Sequence, residues 1–166
     1  MTKPRVYLCW YSAKPIDCRH LSELAGIHPT KIEEKGSPIL HRDGSPVHKM
    51  GKDGQWTTAL HKENAITYEL PPYRGWKVYN LLKKMMQTIQ HHEELGDYCK
   101  ANGISAKLAI VIEGITDTYS MPVFTFSKEF VSFLSKINAW VDFDFYMSPF
   151  ELKETPEEIK RKFGFV

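Results

Sequence analysis

Two aspartates, Asp142 and Asp144, stand two residues apart in the run Trp140-Val-Asp-Phe-Asp-Phe-Tyr146. Side chains alternate between the faces of a strand, so both carboxylates share one face while Val141, Phe143 and Phe145 share the other. Paired carboxylates could hold Mg²⁺ or Ca²⁺, or divide acid and base roles. The plainer alternative is a strand whose polar residues face water. Seven histidines, His20, His28, His41, His48, His61, His91 and His92, raise the question of a metal. Structural zinc takes four ligands at short paired spacings, and these residues do not show that pattern. His91 and His92 are adjacent, so on a helix they would point about 100° apart; solvated histidines are the better explanation. Cys9, Cys18 and Cys99 include no CxxC pair, and Cys9 and Cys18 read as small core hydrophobes. A Cys–His nucleophile would have to be assembled by the fold. The sequence holds no GxSxG, GxGxxG or GxxxxGKS loop. The expectation is therefore no catalytic residue, no metal and no cofactor, with an enzyme using Asp142/Asp144 or a Cys/His pair as the alternative.

A different chemistry is concentrated between Gly36 and Gly54. This stretch contains two Ser-Pro pairs, two Asp-Gly pairs and little periodicity, which marks turns or a protruding hairpin. It carries His41, Arg42, His48 and Lys49. Long irregular segments inside compact domains are usually functional or disordered. Its cations would attract an acidic protein partner or a small anionic ligand, in a salt-dependent way. These four residues are the candidate binding site.

Composition narrows the partner. The chain has 166 residues, one domain by size, with 42% hydrophobic and 13% aromatic content typical of a folded core. Basic residues number 22 against 20 acidic, a balance too even to steer the protein toward nucleic acid or an anionic membrane. The small basic and aromatic clusters at Tyr73–Trp76 and Lys160–Lys162 do not change that expectation. No apolar run approaches the ~20 residues that span a bilayer. No secretory leader opens the sequence, and three unpaired thiols suit a reducing compartment. A cytoplasmic protein is expected.

The elements that must position these residues follow from periodicity. Arg5–Tyr11 reads as a buried strand. Asp17 is an N-cap for a helix with Cys18, Leu21, Leu24 and Ala25 on one face, and Gly26 is its stop. Residues 27–35 read as a corner and a strand, with Pro29 confined to an edge or start. Gln55–Leu60 reads as a strand with Trp56 anchored in the core. From Trp76, the residues Tyr79, Leu82, Met86 and Ile89 recur at helical steps. That helix is expected to continue, bent, to Asn102-Gly103. Lys107–Glu113 is a buried strand. Ser127 caps a helix with the stripe Phe130, Phe133, Leu134 and Ile137, and Trp140–Tyr146 closes the core. In the tail, Thr155, Pro156 and Lys160–Lys162 suit a short helix. The expected fold is α+β: a mixed or largely antiparallel sheet, two main helices packed on one face, and a short C-terminal helix. Residues 1–150 form the domain and 151–166 a helical extension.

The apolar first strand, Leu21-Ser-Glu-Leu-Ala-Gly-Ile-His-Pro-Thr30, Lys35-Gly36 and Trp56 together resemble the bacterial domain-of-unknown-function family 4279. The long amphipathic helix, the Lys107–Glu113 strand and the Val141–Tyr146 strand extend the resemblance over residues 5–147. It implies a protein of bacteria or their phages, with no established catalytic motif to carry onto these residues. It also implies an association with immunity or defence. The 36–54 stretch is longer than the family pattern suggests, and the tail after Phe150 reads as an addition. The resulting functional expectation is a non-catalytic binding protein engaging a protein partner, the alternative being a small-anion or nucleotide-sequestering protein.

Overall fold

Strand β1 (Lys3–Ser12) alternates so cleanly that Val6, Leu8, Trp10 and Ser12 are buried while Arg5, Tyr7, Cys9 and Tyr11 fall on the opposite face. This computed structural model describes residues 3–41, 43–52, 54–71, 77–115 and 125–147. Along them follow α1 (Cys18–Ala25), β2 (Lys31–Glu33), β3 (His48–Met50), β4 (Trp56–Thr58), β5 (Asn64–Glu69), α2 (Val78–Thr88), α3 (His92–Asn102), β6 (Ser105–Ile115), α4 (Lys128–Lys136) and β7 (Ala139–Met147). Five strands form one sheet in the order β2-β5-β1-β6-β7. All pairings in it are antiparallel except β6 with β7, which α4 connects as a parallel crossover.

The four helices among the described residues share one face of that sheet. Leu21 and Ala25 from α1, Leu81, Leu82 and Met85 from α2, Leu95 and Cys99 from α3, and Phe130 and Phe133 from α4 join Leu8, Leu108 and Ile110 in one core. The α+β sandwich and its mixed sheet are as expected, with α1 and α3 added to the two main helices. The helix ends obey local rules. Asp17 accepts from the His20 N–H at 3.0 Å and Ser127 from the Phe130 N–H at 3.2 Å. Gly26 takes φ +67° past the end of α1, where a side chain would be strained and would meet Gln90.

Several expectations are corrected. The amphipathic run from residue 76 is two helices. It breaks at Ile89–His91, where the Gln90 N–H donates to the Ala25 carbonyl and His91 adopts φ 43°. The second helix does end at Asn102-Gly103. The strand expected over Gln55–Leu60 is present as Trp56–Thr58, and a strand not expected, Asn64–Glu69, pairs with β1. Trp56 does not anchor the core, because its strand belongs to a separate two-stranded ribbon and its side chain is 66% exposed. Arg42, Tyr73, Trp76 and the C-terminal helix expected over 151–166 lie outside the described residues.

Candidate functional site

Residues 34–63 leave the sheet between two neighbouring antiparallel strands, β2 and β5, and form an arm. Its neck is held by backbone bonds in both directions, from Gly36 N–H to the His61 carbonyl and from His61 N–H to the Ser37 carbonyl, each 2.9 Å. Asn64 reinforces the junction: its side-chain oxygen accepts from the Lys35 N–H and its amide donates to the Lys14 carbonyl. Farther out, three strand segments close a ring of hydrogen bonds. Ile39 donates to Ala59, Ala59 to Val47 and Val47 to Ile39, at 2.7–2.8 Å. Buried Ala59 and half-buried Ile39 and Val47 thus sit together around a small apolar centre. The Asp-Gly signal works as a turn at Asp43-Gly44, where the Asp43 carboxylate accepts from the Ser45 N–H and hydroxyl. Those bonds hold Asp43 below its ordinary pKa.

Beyond the ring, β3 and β4 pair as a ribbon in which Met50 lies opposite Trp56 and His48 opposite Thr58, while Lys49 and Thr57 point the other way. Met50 is 60% exposed and Trp56 66%. The structure therefore places His48 and Lys49 on opposite faces of one ribbon. His41 lies on a different segment of the arm, at the edge of a groove of about 550 Å³ that also contains Lys31, Glu33 and His61. Here His61 lies 3.3 Å from Glu33, which also pairs with Lys31. His41, His48 and Lys49 are all exposed, and Arg42 lies outside the described residues. Sequence reasoning missed the apolar half of this surface. An aromatic flanked by Gln55 and two threonines, with Gly51 and Gly54 close by, was the available signal.

Asp142 and Asp144 occupy the sheet face that carries no described helix. The register aligns Ala109 with Asp142 and Val111 with Asp144. Lys107 reaches Asp142 at 3.2 Å and lies 5.6 Å from the centre of the Trp140 ring, whose N–H donates to the Tyr11 hydroxyl at 3.1 Å. Burial depresses the Lys107 pKa, but the Asp142 hydrogen bond and neighbouring Tyr7 outweigh it and the net shift is upward. Burial pushes the Tyr7 hydroxyl up, partly offset by Lys107. Arg5 forks between Glu69 at 2.8 Å and Glu113 at 3.2 Å. Both aspartates are half-exposed, and Asp142 is ion-paired to Lys107. The grooves beside the arm, along α1 and between α2 and α4 contain neither of them.

Two thiols and two imidazoles have defined packing surroundings. Burial pushes Cys99 up to about 11 and raises Cys9 as well, which keeps both protonated at neutral pH. His92 is not simply solvated: its Nε2 lies 2.8 Å from the Ile89 carbonyl and its ring meets Phe133 edge-on at 4.9 Å. His20 meets Tyr98 in the same way at 4.8 Å. No cluster of three or more metal-ligating side chains occurs among the described residues. No described helix is long and apolar enough to cross a membrane.

The family described as Domain of unknown function (DUF4279) matches residues 2–148. The chain belongs to that family, and residues 149–166 lie beyond the match. No curated protein and no solved structure matches it.

Proposed function

We propose that this member of the DUF4279 family is a non-catalytic binding protein whose arm engages a protein partner. The observation that carries the reading is the Met50–Trp56 pair, a large aromatic and a flexible thioether side by side on a ribbon held away from the core. Tryptophan, methionine and arginine are enriched where protein interfaces concentrate their binding energy. Exposed His48 on the same ribbon face, and exposed His41, Lys49 and Lys52 elsewhere on the arm, favour an acidic surface. The high thiol pKa values and the ion-paired Asp142 support binding over nucleophilic or paired-carboxylate chemistry. Three unpaired thiols favour a cytoplasmic location, and the resemblance to the family suggests a toxin or defence component as the partner.

The test compares wild-type protein with Trp56→Ala and with Lys49→Ala, each tagged and recovered from its native host. Both variants should melt within about 0.5 kcal/mol of wild type, because exposed substitutions rarely do more. The partner identified with wild type should then be purified and titrated. Trp56→Ala should cost about 2 kcal/mol or more of binding, as an aromatic anchor does. Lys49→Ala should reduce the salt dependence. Partner binding that is indifferent to both substitutions would remove the arm from the interface.

A further inference from the structure

We propose that the cleft between α2 and α4 is a binding site for a small aromatic carboxylate. The cleft is about 220 Å³ and open on one side. An apolar cavity of ~150 Å³ is enough to hold a benzene ring, so a single substituted ring fits. Its floor is formed by Leu82, Met86, Phe126 and Phe130. The phenylalanine rings are already fixed by their neighbours. Phe126 lies 5.1 Å from Phe130 and stacks on Phe143 at 5.9 Å, while Phe130 meets Phe133 at 6.0 Å. A pocket braced in this way loses little entropy when a ring enters, and the Met86 thioether adapts to its edge.

The mouth sets the charge of the ligand. Lys83 stands there with no ion-pair partner among the described residues, and the exposed Tyr79 hydroxyl makes no hydrogen bond among them. The other charge at the mouth, Glu129, is directed to the start of α4, where its own backbone N–H and the Ser127 hydroxyl hold its pKa down. A carboxylate on the ring would therefore meet the Lys83 ammonium and the Tyr79 hydroxyl, neither of them bonded to another described side chain. Glu129 is exposed and engaged elsewhere, so its repulsion is screened by water. The site is independent of the arm, which leaves the sheet at β2 and β5 and contributes no residue to this lining.

Benzoate is the probe and benzyl alcohol its uncharged counterpart, both titrated into the full chain and followed by NMR. Benzoate should shift the Met86 methyl and the Phe126 and Phe130 ring signals. Lys83→Met keeps the stem but removes the charge; it should weaken benzoate about two- to fivefold, as an exposed ion pair does, and leave benzyl alcohol unchanged. Met86→Trp should fill the floor and block both probes. The chemical-shift map of the unaltered chain locates the site even if Met86→Trp does not fold. Shifts confined to other residues, or benzoate binding indifferent to Lys83→Met, would overturn the proposal.

Discussion

Gly96→Ala should destabilise the protein even though alanine is the better helix former. Gly96 is buried in α3 where the helix crosses the end of α4. A Cβ there would lie 1.9 Å from the Lys136 carbonyl oxygen, 3.0 Å from its carbon and 3.3 Å from the Ile137 Cα. Ordinary contact begins at 3.4 Å, so the two helices would have to part by more than an ångström. The neighbour is backbone and cannot rotate away. Nor can α4 slide freely, because Ile137 is fully buried and Lys136 is tied to Glu93 at 3.1 Å. Overpacking of this kind costs about 1–3 kcal/mol, occasionally more, against a gain of about 1 kcal/mol in helix propensity. With the clash at the severe end, a net loss of about 2 kcal/mol is expected, or a melting temperature lower by roughly 4–8 °C for a chain of this size. Urea unfolding followed by circular dichroism measures it. The exposed Ala101→Gly in the same helix gives the propensity term alone, about 1 kcal/mol. An unchanged or higher midpoint for Gly96→Ala would show that the helices are not in the close contact described.

Thr30→Val should cost about 0.5–1.5 kcal/mol, because its hydroxyl accepts from the Glu69 N–H and donates to the Thr67 carbonyl, at 3.0 Å each; valine takes this partner from the Glu69 N–H, while the Thr67 carbonyl keeps the Thr30 N–H at 2.8 Å. A loss below about 0.5 kcal/mol in thermal unfolding would mean that water replaces the hydroxyl. Trp10→Phe should be nearly neutral for its polar part, because the buried indole N–H has no partner among the described groups. The smaller ring leaves a cavity, so a loss is expected from packing; one that reaches the ~3–5 kcal/mol of a full aromatic deletion would point to an unseen bond to that N–H. Stability should fall as pH rises from about 9 to about 11, since the unfolded chain releases the Cys99 proton near the ordinary thiol pKa while the folded state retains it up to about 11. Urea titrations across that range should show a loss that Cys99→Ala reduces by about 2–3 kcal/mol, leaving the slope from Cys9 and Tyr7; a slope unchanged by this substitution would assign the whole effect to other groups.

The legible parts of the sequence were those governed by local chemistry. Asp17, Ser127 and Gly26 work as caps and stop because their action needs only neighbours two to five residues away. The strands β1 and β7 were readable from their alternation, and β6 from a continuous apolar run, Leu108–Ile112, that is buried on both faces. Errors arose where tertiary context decides. Trp56 looked like a core residue because large aromatics usually are, yet its ribbon partner is Met50 and both are exposed. The alternation Ala65-Ile66-Thr67-Tyr68 was passed over, although Ile66 is buried and the strand is the direct neighbour of β1. The break at Gln90-His91 has no Pro or Gly to announce it; the tie from Gln90 to the end of α1 sets it there. For the candidate site, the segment carrying His41, His48 and Lys49 was readable from its turn residues. The faces those side chains occupy depend on a ribbon register that composition does not encode.

The arm is the part of this molecule that stability alone does not explain. β2 and β5 are adjacent and antiparallel, and a two-residue turn could join them. Residues 34–63 make that connection instead, at an entropic cost that grows only slowly with length. They add no residue to the main core: Ala59, their buried apolar side chain, lies beside the arm's own ring of hydrogen bonds. What the added length does provide is a second ribbon with its own internal bonding, fixed at a neck by Asn64 and by the paired backbone of Gly36, Ser37 and His61. A segment selected only to close the sheet would have no need for this bracing. A segment that must present Met50 and Trp56 in one fixed relation would need it, because an interface loses affinity for every side chain it must immobilise on binding. Under the proposed function, the bracing of the arm and the exposure of its aromatic tip share one physical explanation, a surface organised before a partner arrives.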